Sequence, residues 1–425
     1  MAVEHFGAVR HGNGDIVQVP VVRAGRWVVC TGLRAANANG LIEASVLRSA
    51  RPLDAPPKAE REAQFIFDRL GDQLAHAGSS MAQVARLDQY YPDPRAVDPY
   101  HVARRRAMTG KVAPSTSIIV SRLLNLDAAM DLQALAATEA SGYRVERVAA
   151  SLNAPQSSGY APCVRAGDLV FIAGQLARDA SGDIAAQAKP PAGQQWNGSR
   201  IRLETEYLFQ DRLLPALQAA GSDPSLVLKA QVYLSHPDDL PVFLQTWGEL
   251  FGERMPPTTI VPVNHPAFGT LDATIEVNLI AAHGSARSKL RDIHCAVELL
   301  DPRMLPACAF DGLLFVAGLM AIDAEGLVAS AQVAPSAPFL PDSAHAQMSD
   351  ILGKARVIFT AAGSDLTQVV RSLHFHCDLA DARSACLTWR SHIGVAALPF
   401  SAIEVAPQMF VPGARVLVDL WGHVP

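Results

Sequence analysis

One short landmark recurs three times along this chain at nearly constant spacing, and it constrains the fold more than any other feature. It reads Ala77-Gly78-Ser79-Ser80, Ala220-Gly221-Ser222-Asp223 and Ala362-Gly363-Ser364-Asp365, with the glycines 143 and 142 residues apart. Six residues after each glycine begins a strand-like segment: VARLDQYYPDP from Val84, VLKAQVYLSHP from Val227 and VVRSLHFHCDL from Val369. Each carries a basic third residue, Arg86, Lys229 or Arg371. A second landmark lies upstream in every case: GRWVVCTG (25–32), GDLVFIAG (167–174) and GLLFVAG (312–318). A third begins 35 or 36 residues after the repeated glycine: PSTSIIV from Pro114, PPTTIVPV from Pro256 and LPFSAIEV from Leu398. Three landmarks in one order at one period mean three tandem copies of one unit of about 140 residues. The copies are expected at 1–140, 145–285 and 292–425.

Within a unit, the glycine-bounded runs rich in Val and Ile predict strands closed by a turn. Before each Ala-Gly-Ser comes a helical stripe, with Ala63, Phe67, Leu70 and Leu74 in the first copy and Met348, Leu352, Ala355 and Phe359 in the third. The middle copy keeps the stripe in Leu203, Tyr207, Leu214 and Leu217, where Pro215 predicts a kink. A second helix follows the central strand, with Asp239 as its expected N-cap in the middle copy. The predicted order is β-hairpin, β, α, β, α, β, β, an α/β (α+β) unit whose mixed sheet is covered by two helices on one face. The bare face needs burial elsewhere, and three copies can bury it against one another as an intramolecular pseudo-trimer. Two loops, around Asn197 and from Val333, read as insertions by their Pro, Gly and Ser content.

Composition narrows the function classes. With 49% hydrophobic and 18% charged residues, the 425-residue chain is built to pack and not to be disordered. A net charge of −5 offers no basic field for nucleic acid. No apolar run reaches the roughly 18 residues of a membrane helix, and the N-terminus is not that of a signal peptide. Six scattered cysteines without a CxxC pair predict reduced thiols and a cytoplasmic setting. Phosphate-loop, dinucleotide, HExxH and GxSxG patterns are not evident, so no cofactor and no metal is expected.

The segments YAPCVRAGDLVFIAGQL, LQAAGSDPSLVLKAQVYLSHPDDLPVFLQTWGELF and TIEVNLIAA, all in the middle copy, resemble the Rid/YjgF family. The third copy is similar from about Pro306, and the first is the most divergent. The resemblance implies small α/β units assembled as trimers, with ligand clefts between neighbours. It also implies hydrolysis of reactive imines and enamines to carbonyl compounds and ammonia. A fused chain would then carry three non-identical clefts and need no protein partner, being a monomer or at most a homodimer acting on a small-molecule substrate.

The family's deaminases bind a substrate carboxylate through an arginine of a PxR strand, a role suited to a bidentate guanidinium. The positions matched to it here are Thr116, Thr258 and Ser401, and none is arginine. That departure argues against the usual imino-acid substrate. The three hydroxyls would bind a neutral or differently placed group, although Thr and Ser are also ordinary strand residues. A family glutamate that orients water matches Glu276, with Asp131 and Leu417 at the corresponding positions of copies one and three. In a cleft such an acid can serve as base for water and acid for the leaving amine. A family cleft tyrosine, seven residues before the strand glycine, matches Tyr160, where the other copies have Gln18 and Leu305. By the family's geometry Tyr160 is expected to face another copy and not Thr258 or Glu276. In copy three, Glu404 is a further candidate acid. His374 and His376 share a strand face as candidate substrate-binding groups, too few alone for a metal site. The resulting expectation is a cofactor-free hydrolase or deaminase acting on a C–N bond. The alternatives are a non-catalytic small-molecule-binding or chaperone-like protein, or a different hydrolase or lyase on the same architecture.

Overall fold

The computed structural model describes all residues but 1–2, 12–13, 52, 110–111, 151, 153–158, 194–198, 334–335, 337–341 and 395–396. Most of the two predicted insertion loops therefore lies outside the described residues.

The fold is mixed α+β, built on three large sheets. The first orders its strands as Glu4–Phe6, Val21–Ala24, Trp27–Leu33, Asp131–Ala137, Val84–Tyr91, Ser115–Ile119. The second follows the same plan as Val145–Arg147, Cys163–Ala166, Leu169–Gln175, Ile275–Ala282, Val227–Leu234, Thr258–Pro262. The third runs Arg291–Ile293, Ala307–Phe310, Leu313–Val316, Val416–His423, Val369–His376, Phe400–Glu404, and then accepts Arg122–Leu123 from the first part of the chain. In each sheet the last pair of the shared plan is parallel, and the other pairs are antiparallel. The third strand before the first helix precedes the hairpin, where the sequence order placed it after.

Two helices follow each hairpin and central strand: Lys58–His76 and Val97–Ala107 in the first part, Ser343–Ala361 and Ala382–Ile393 in the last. The middle part differs. Its first helix runs Arg200–Tyr207, widens to a π turn over Leu208–Leu213 and resumes at Leu214–Ala219. The irregularity thus lies before Pro215 and not at it. A wide turn there gives the proline ring room and tolerates its missing N–H. Asp239 does not cap the second helix; it already has helical φ/ψ in a 3-10 turn leading into Leu240–Phe251. Gly78, Gly221 and Gly363 take φ of 76°, 70° and 77°, the left-handed conformation that stops each first helix.

Alternation along the strands divides side chains between the helices and the molecular centre. Trp247 and Trp389 fill the helix side. On the other side one apolar cluster draws Trp27 and Val29, Phe171 and Ile280, and Phe315 and Trp421 from all three sheets. Tyr90, Tyr233 and Phe375, at corresponding positions of the three central strands, meet in a separate cluster: the Tyr90 ring lies 6.4 Å from Tyr233 and 6.0 Å from Phe375. Burying three half-bare sheets against one another removes the apolar surface each would expose alone. Among the described residues no helix is long and apolar enough to cross a membrane.

Candidate functional site

Three junctions join the sheets, each formed where the edge strand of one sheet meets the hairpin of another. One backbone bond marks each: Ala161 N–H to Val112 O at 2.9 Å, Leu305 N–H to Met255 O at 3.0 Å, and Val19 N–H to Leu398 O at 2.8 Å. The register corrects two of the expected positions. Thr116, Thr259 and Ser401 pair with Asp88, Gln231 and Leu373 at equivalent points of the central strands. Pro114, Pro257 and Pro399 accept the equivalent amides, from Leu87, Ala230 and Ser372. The counterpart of Thr116 is therefore Thr259 and not Thr258, because the repeat is anchored on the second proline of Pro256-Pro257. One residue of slip turns a strand side chain to the opposite face. Thr258 accordingly faces the helices, where Trp247 Nε1 donates to its hydroxyl at 3.3 Å. Likewise Asp311, with φ of 50°, holds the turn position of Gly25 and Gly167. This makes Met304, not Leu305, the counterpart of Tyr160.

At the junction of the first and second sheets lies an open cleft of about 210 Å³. The first part of the chain contributes Asp98 and His101 from the Val97–Ala107 helix and Ser115 and Ser117 from the edge strand. The second contributes Tyr160, Arg178 and Glu276. Tyr160 thus faces the first copy as expected, but it shares its cleft with Glu276, contrary to the sequence reading.

Glu276 sits in a strand buried along its whole length. Its carboxyl fits because Gly174, opposite, has no side chain: a Cβ there would lie 1.9 Å from Glu276 Oε1. The carboxyl has no hydrogen-bond partner among the described residues. Burial pushes it up to about 8, against the lowering pull of Arg178 and with a further upward push from Asp88. Burial also raises the Tyr160 phenol, while Arg178 lowers it. Arg178 Nη2 donates to Tyr160 Oη at 3.4 Å, and no carboxylate among the described residues lies within ion-pair distance of the guanidinium. Arg178 is 8% exposed. Sequence reasoning missed it by looking for arginine only on the PxR strand. The available signal was GQLAR, an arginine four residues beyond the glycine that closes the hairpin. Thr116 does not line the cleft; its hydroxyl accepts from Asn278 Nδ2 at 2.9 Å and ties the two sheets together.

The other two junctions are built differently. Between the third and first sheets, Arg34 pairs with Asp131 at 2.7 Å, with side chains 1% and 0% exposed. Ser401 donates to the same carboxylate at 2.8 Å, and Arg34 reaches Gln18 at 2.9 Å. Burial raises Asp131 against the opposing pull of Arg34. Asp131 and Ser401 are therefore consumed by an internal network. Between the second and third sheets, Leu417 stands where Glu276 stands, packed towards Gly318 and Thr259. Lys229 is bound there to Asp419 at 2.7 Å and to Thr259 at 2.7 Å, so it is no free nucleophile or base.

The remaining candidates in the third part are not cleft residues. His374 and His376 do share a face, but it is the helix-covered one. His374 stacks near Trp389 and Phe400 and bonds Ser372 at 2.7 Å. Burial lowers the two imidazoles to about 3 and about 4, so both are neutral core groups. Glu404 accepts the Leu379 amide at 3.1 Å and lies 3.5 Å from Arg122, fastening a turn. Among the described residues no group of three or more His, Cys, Asp or Glu is placed to hold a metal ion.

Comparison with known proteins bears mainly on the middle of the chain. The family described as Endoribonuclease L-PSP matches residues 151–283. A RutC family protein of Pyrococcus horikoshii is 31% identical over 130 residues, covering 30% of this chain and 91% of the relative. Among solved structures, yeast Mmf1 is 21% identical, covering 33% of this chain and 98% of its own, with a TM-score of 0.26. A YjgF/YER057c/UK114 family member from Mycobacterium tuberculosis is 20% identical, covering 32% and 99%, with a TM-score of 0.25. A chorismatase is 13% identical, covering 80% and 93%, with a TM-score of 0.47.

Proposed function

This chain belongs to the Rid/YjgF family, and from that premise we propose that it hydrolyses the C=N bond of a small anionic imine in the cleft between its first and second sheets. The carrying observation is the Glu276 carboxyl, buried and without a hydrogen-bond partner among the described residues, in one cleft with Arg178 and Tyr160. The units at 1–140, 145–285 and 292–425 pack as an intramolecular trimer in this reading. One of its three clefts is active, one is filled by the Arg34–Asp131 pair, and one lacks the acid. The chain then acts as a monomer of 45.3 kDa without cofactor or protein partner.

The chemistry follows from the side chains. With its carboxyl held near 8, Glu276 enters the reaction protonated at neutral pH and donates to the imine nitrogen. The resulting carboxylate takes a proton from the attacking water, giving a carbinolamine. Returning that proton to nitrogen expels ammonia while the carbinolamine hydroxyl gives its own proton to the same carboxylate, which leaves the carbonyl compound and Glu276 protonated again. Arg178 restores a guanidinium to the cleft from a different strand end than the family's PxR arginine, and it binds the substrate carboxylate. Tyr160, held by Arg178, positions the water or the substrate oxygen. The missing PxR arginine favours one other reading, a binding protein without turnover.

The test is ammonia release from freshly generated 2-iminopropanoate and from neutral imines, using wild type, Glu276→Gln, Tyr160→Phe and Arg178→Ala. Acceleration confined to the anionic imine is expected. It should fall about 10²-fold or more without the acid, with KM raised when Arg178 is removed. A wild type no faster than buffer on any imine overturns the hydrolase. Saturable thermal shifts without turnover would then support the binder.

A further inference from the structure

The cleft has a second polar wall that the proposed hydrolysis does not use. It faces Glu276 and Arg178 from the first part of the chain and consists of Asp98 and His101 on one helix with Ser115 and Ser117 on the edge strand. The two serine hydroxyls both donate to Gln89 Oε1, at 2.8 and 3.0 Å; Ser115 also accepts from Arg104 Nη1 at 2.8 Å, so Ser117 is the one that keeps its acceptor lone pairs unused. His101 has no hydrogen-bond partner among the described residues. Its Nδ1 is buried and has Asp98 Oδ1 4.0 Å away, which leaves Nε2 as the accessible ring nitrogen. Burial, with Arg104 and Arg105 nearby, holds the ring far below the usual imidazole range, at about 3, so it is uncharged. With the ring proton on Nδ1, on the side of the exposed Asp98 carboxylate, Nε2 carries a lone pair. Asp98, Ser117 and that ring nitrogen are acceptors, and together they make a recognition surface for a substrate O–H or N–H. A purely alkyl substrate would leave these groups unpaired as it displaced water.

We propose that His101 is a specificity-determining residue that accepts a hydrogen bond from a hydroxyl or amide on the substrate's side chain, making the preferred substrate a polar-side-chain 2-imino acid. This rests on the reading of the same cleft as an imine site. Arg178 holds the carboxylate at one end, Glu276 meets the C=N carbon's nitrogen in the middle, and His101 with Ser117 receives the side-chain donor at the far end.

The stable 2-oxo acids test this without requiring turnover. Calorimetric titration of wild type with 2-oxobutanoate and with 4-hydroxy-2-oxobutanoate should show the hydroxylated acid binding about tenfold tighter, the worth of one hydrogen bond. In His101→Leu that ratio should fall to about one, and His101→Gln, which keeps an acceptor, should restore part of it. A wild type that prefers neither acid, or binds neither, overturns the proposal, as does a ratio unchanged in His101→Leu. If the leucine variant does not fold, His101→Phe takes its place, and a ratio unchanged in it overturns the proposal. Ammonia release judges the hydrolysis separately, since a protein that discriminates the oxo acids but releases no ammonia keeps the specificity wall and loses the hydrolase.

Discussion

Replacing Gly174 by alanine probes the proposed site through one atom. Gly174 does not have the positive φ that disfavours other residues, so the backbone accepts alanine, and the only severe collision is with Glu276 Oε1 at 1.9 Å. Real Cβ contacts essentially never fall under 3.0 Å, so the carboxyl oxygen must retreat by about 1.1 Å. Thr116 Cγ2, at 3.2 Å from the added atom, needs a shift of only a few tenths of an ångström. The carboxyl is the end of a flexible side chain beside an open cleft, so it can move without unfolding the strand. Alanine also reduces the freedom of the unfolded chain, worth about 0.4–1 kcal/mol in favour of folding. Stability should therefore change little. A misplacement of about 1 Å at a reacting group costs on the order of 10²-fold in rate. The assay is kcat/KM for ammonia release beside the melting temperature. A hundredfold loss at an unchanged melting temperature is expected. Wild-type kcat/KM in Gly174→Ala would show that Glu276 is not the group whose position matters.

Two further predictions concern stability. Glu276 holds its proton in the folded state up to about 8, against an ordinary value of 4.5. The folded chain therefore binds the extra proton between those values, and its stability, full below 4.5, is lost as pH rises towards 8. Glu276→Gln should remove that slope and gain ~3 kcal/mol at neutral pH; urea unfolding of both proteins from pH 4 to 9 checks it, and parallel curves would contradict the buried carboxyl. Asp419 receives Lys229 at 2.7 Å, Thr259 at 2.7 Å and the Arg371 guanidinium; burial pushes its carboxyl up, but Lys229 and Arg371 with these hydrogen bonds outweigh it and hold it down to about 2. Asp419→Ala should strand two buried cations and destabilise the chain by about 3–5 kcal/mol in the same assay; a loss under about 1 kcal/mol would mean that the network relaxes or hydrates.

Much of this molecule was legible from local pattern. Ala63, Phe67, Leu70 and Leu74 lie on the buried face of their helix, as their spacing predicted. Glu276 and Tyr160 were found by their match to family positions, and both line the open cleft. Two of the errors were of one kind. Thr258 and Leu305 were each one residue away from the true equivalents, at an extra proline and at a shifted turn, and only strand pairing resolves such a slip. His374 and His376 were correctly placed on one face, but the sequence does not say which side of the sheet that face covers.

By itself the sequence determined the helical stripes and the alternation that makes each sheet two-sided, because both are written in spacings of a few residues and depend on local geometry. Only the tertiary structure decided which junction is a site. Arg178 and Glu276 meet His101 and Ser117 across 61 residues or more of chain, while Arg34 fills the corresponding space at another junction. Whether an arginine faces a cleft or closes one depends on the carboxylate brought to it from a distant strand. Burial then sets the charge of that carboxylate, and burial is a property of the packed assembly of sheets and not of any one segment.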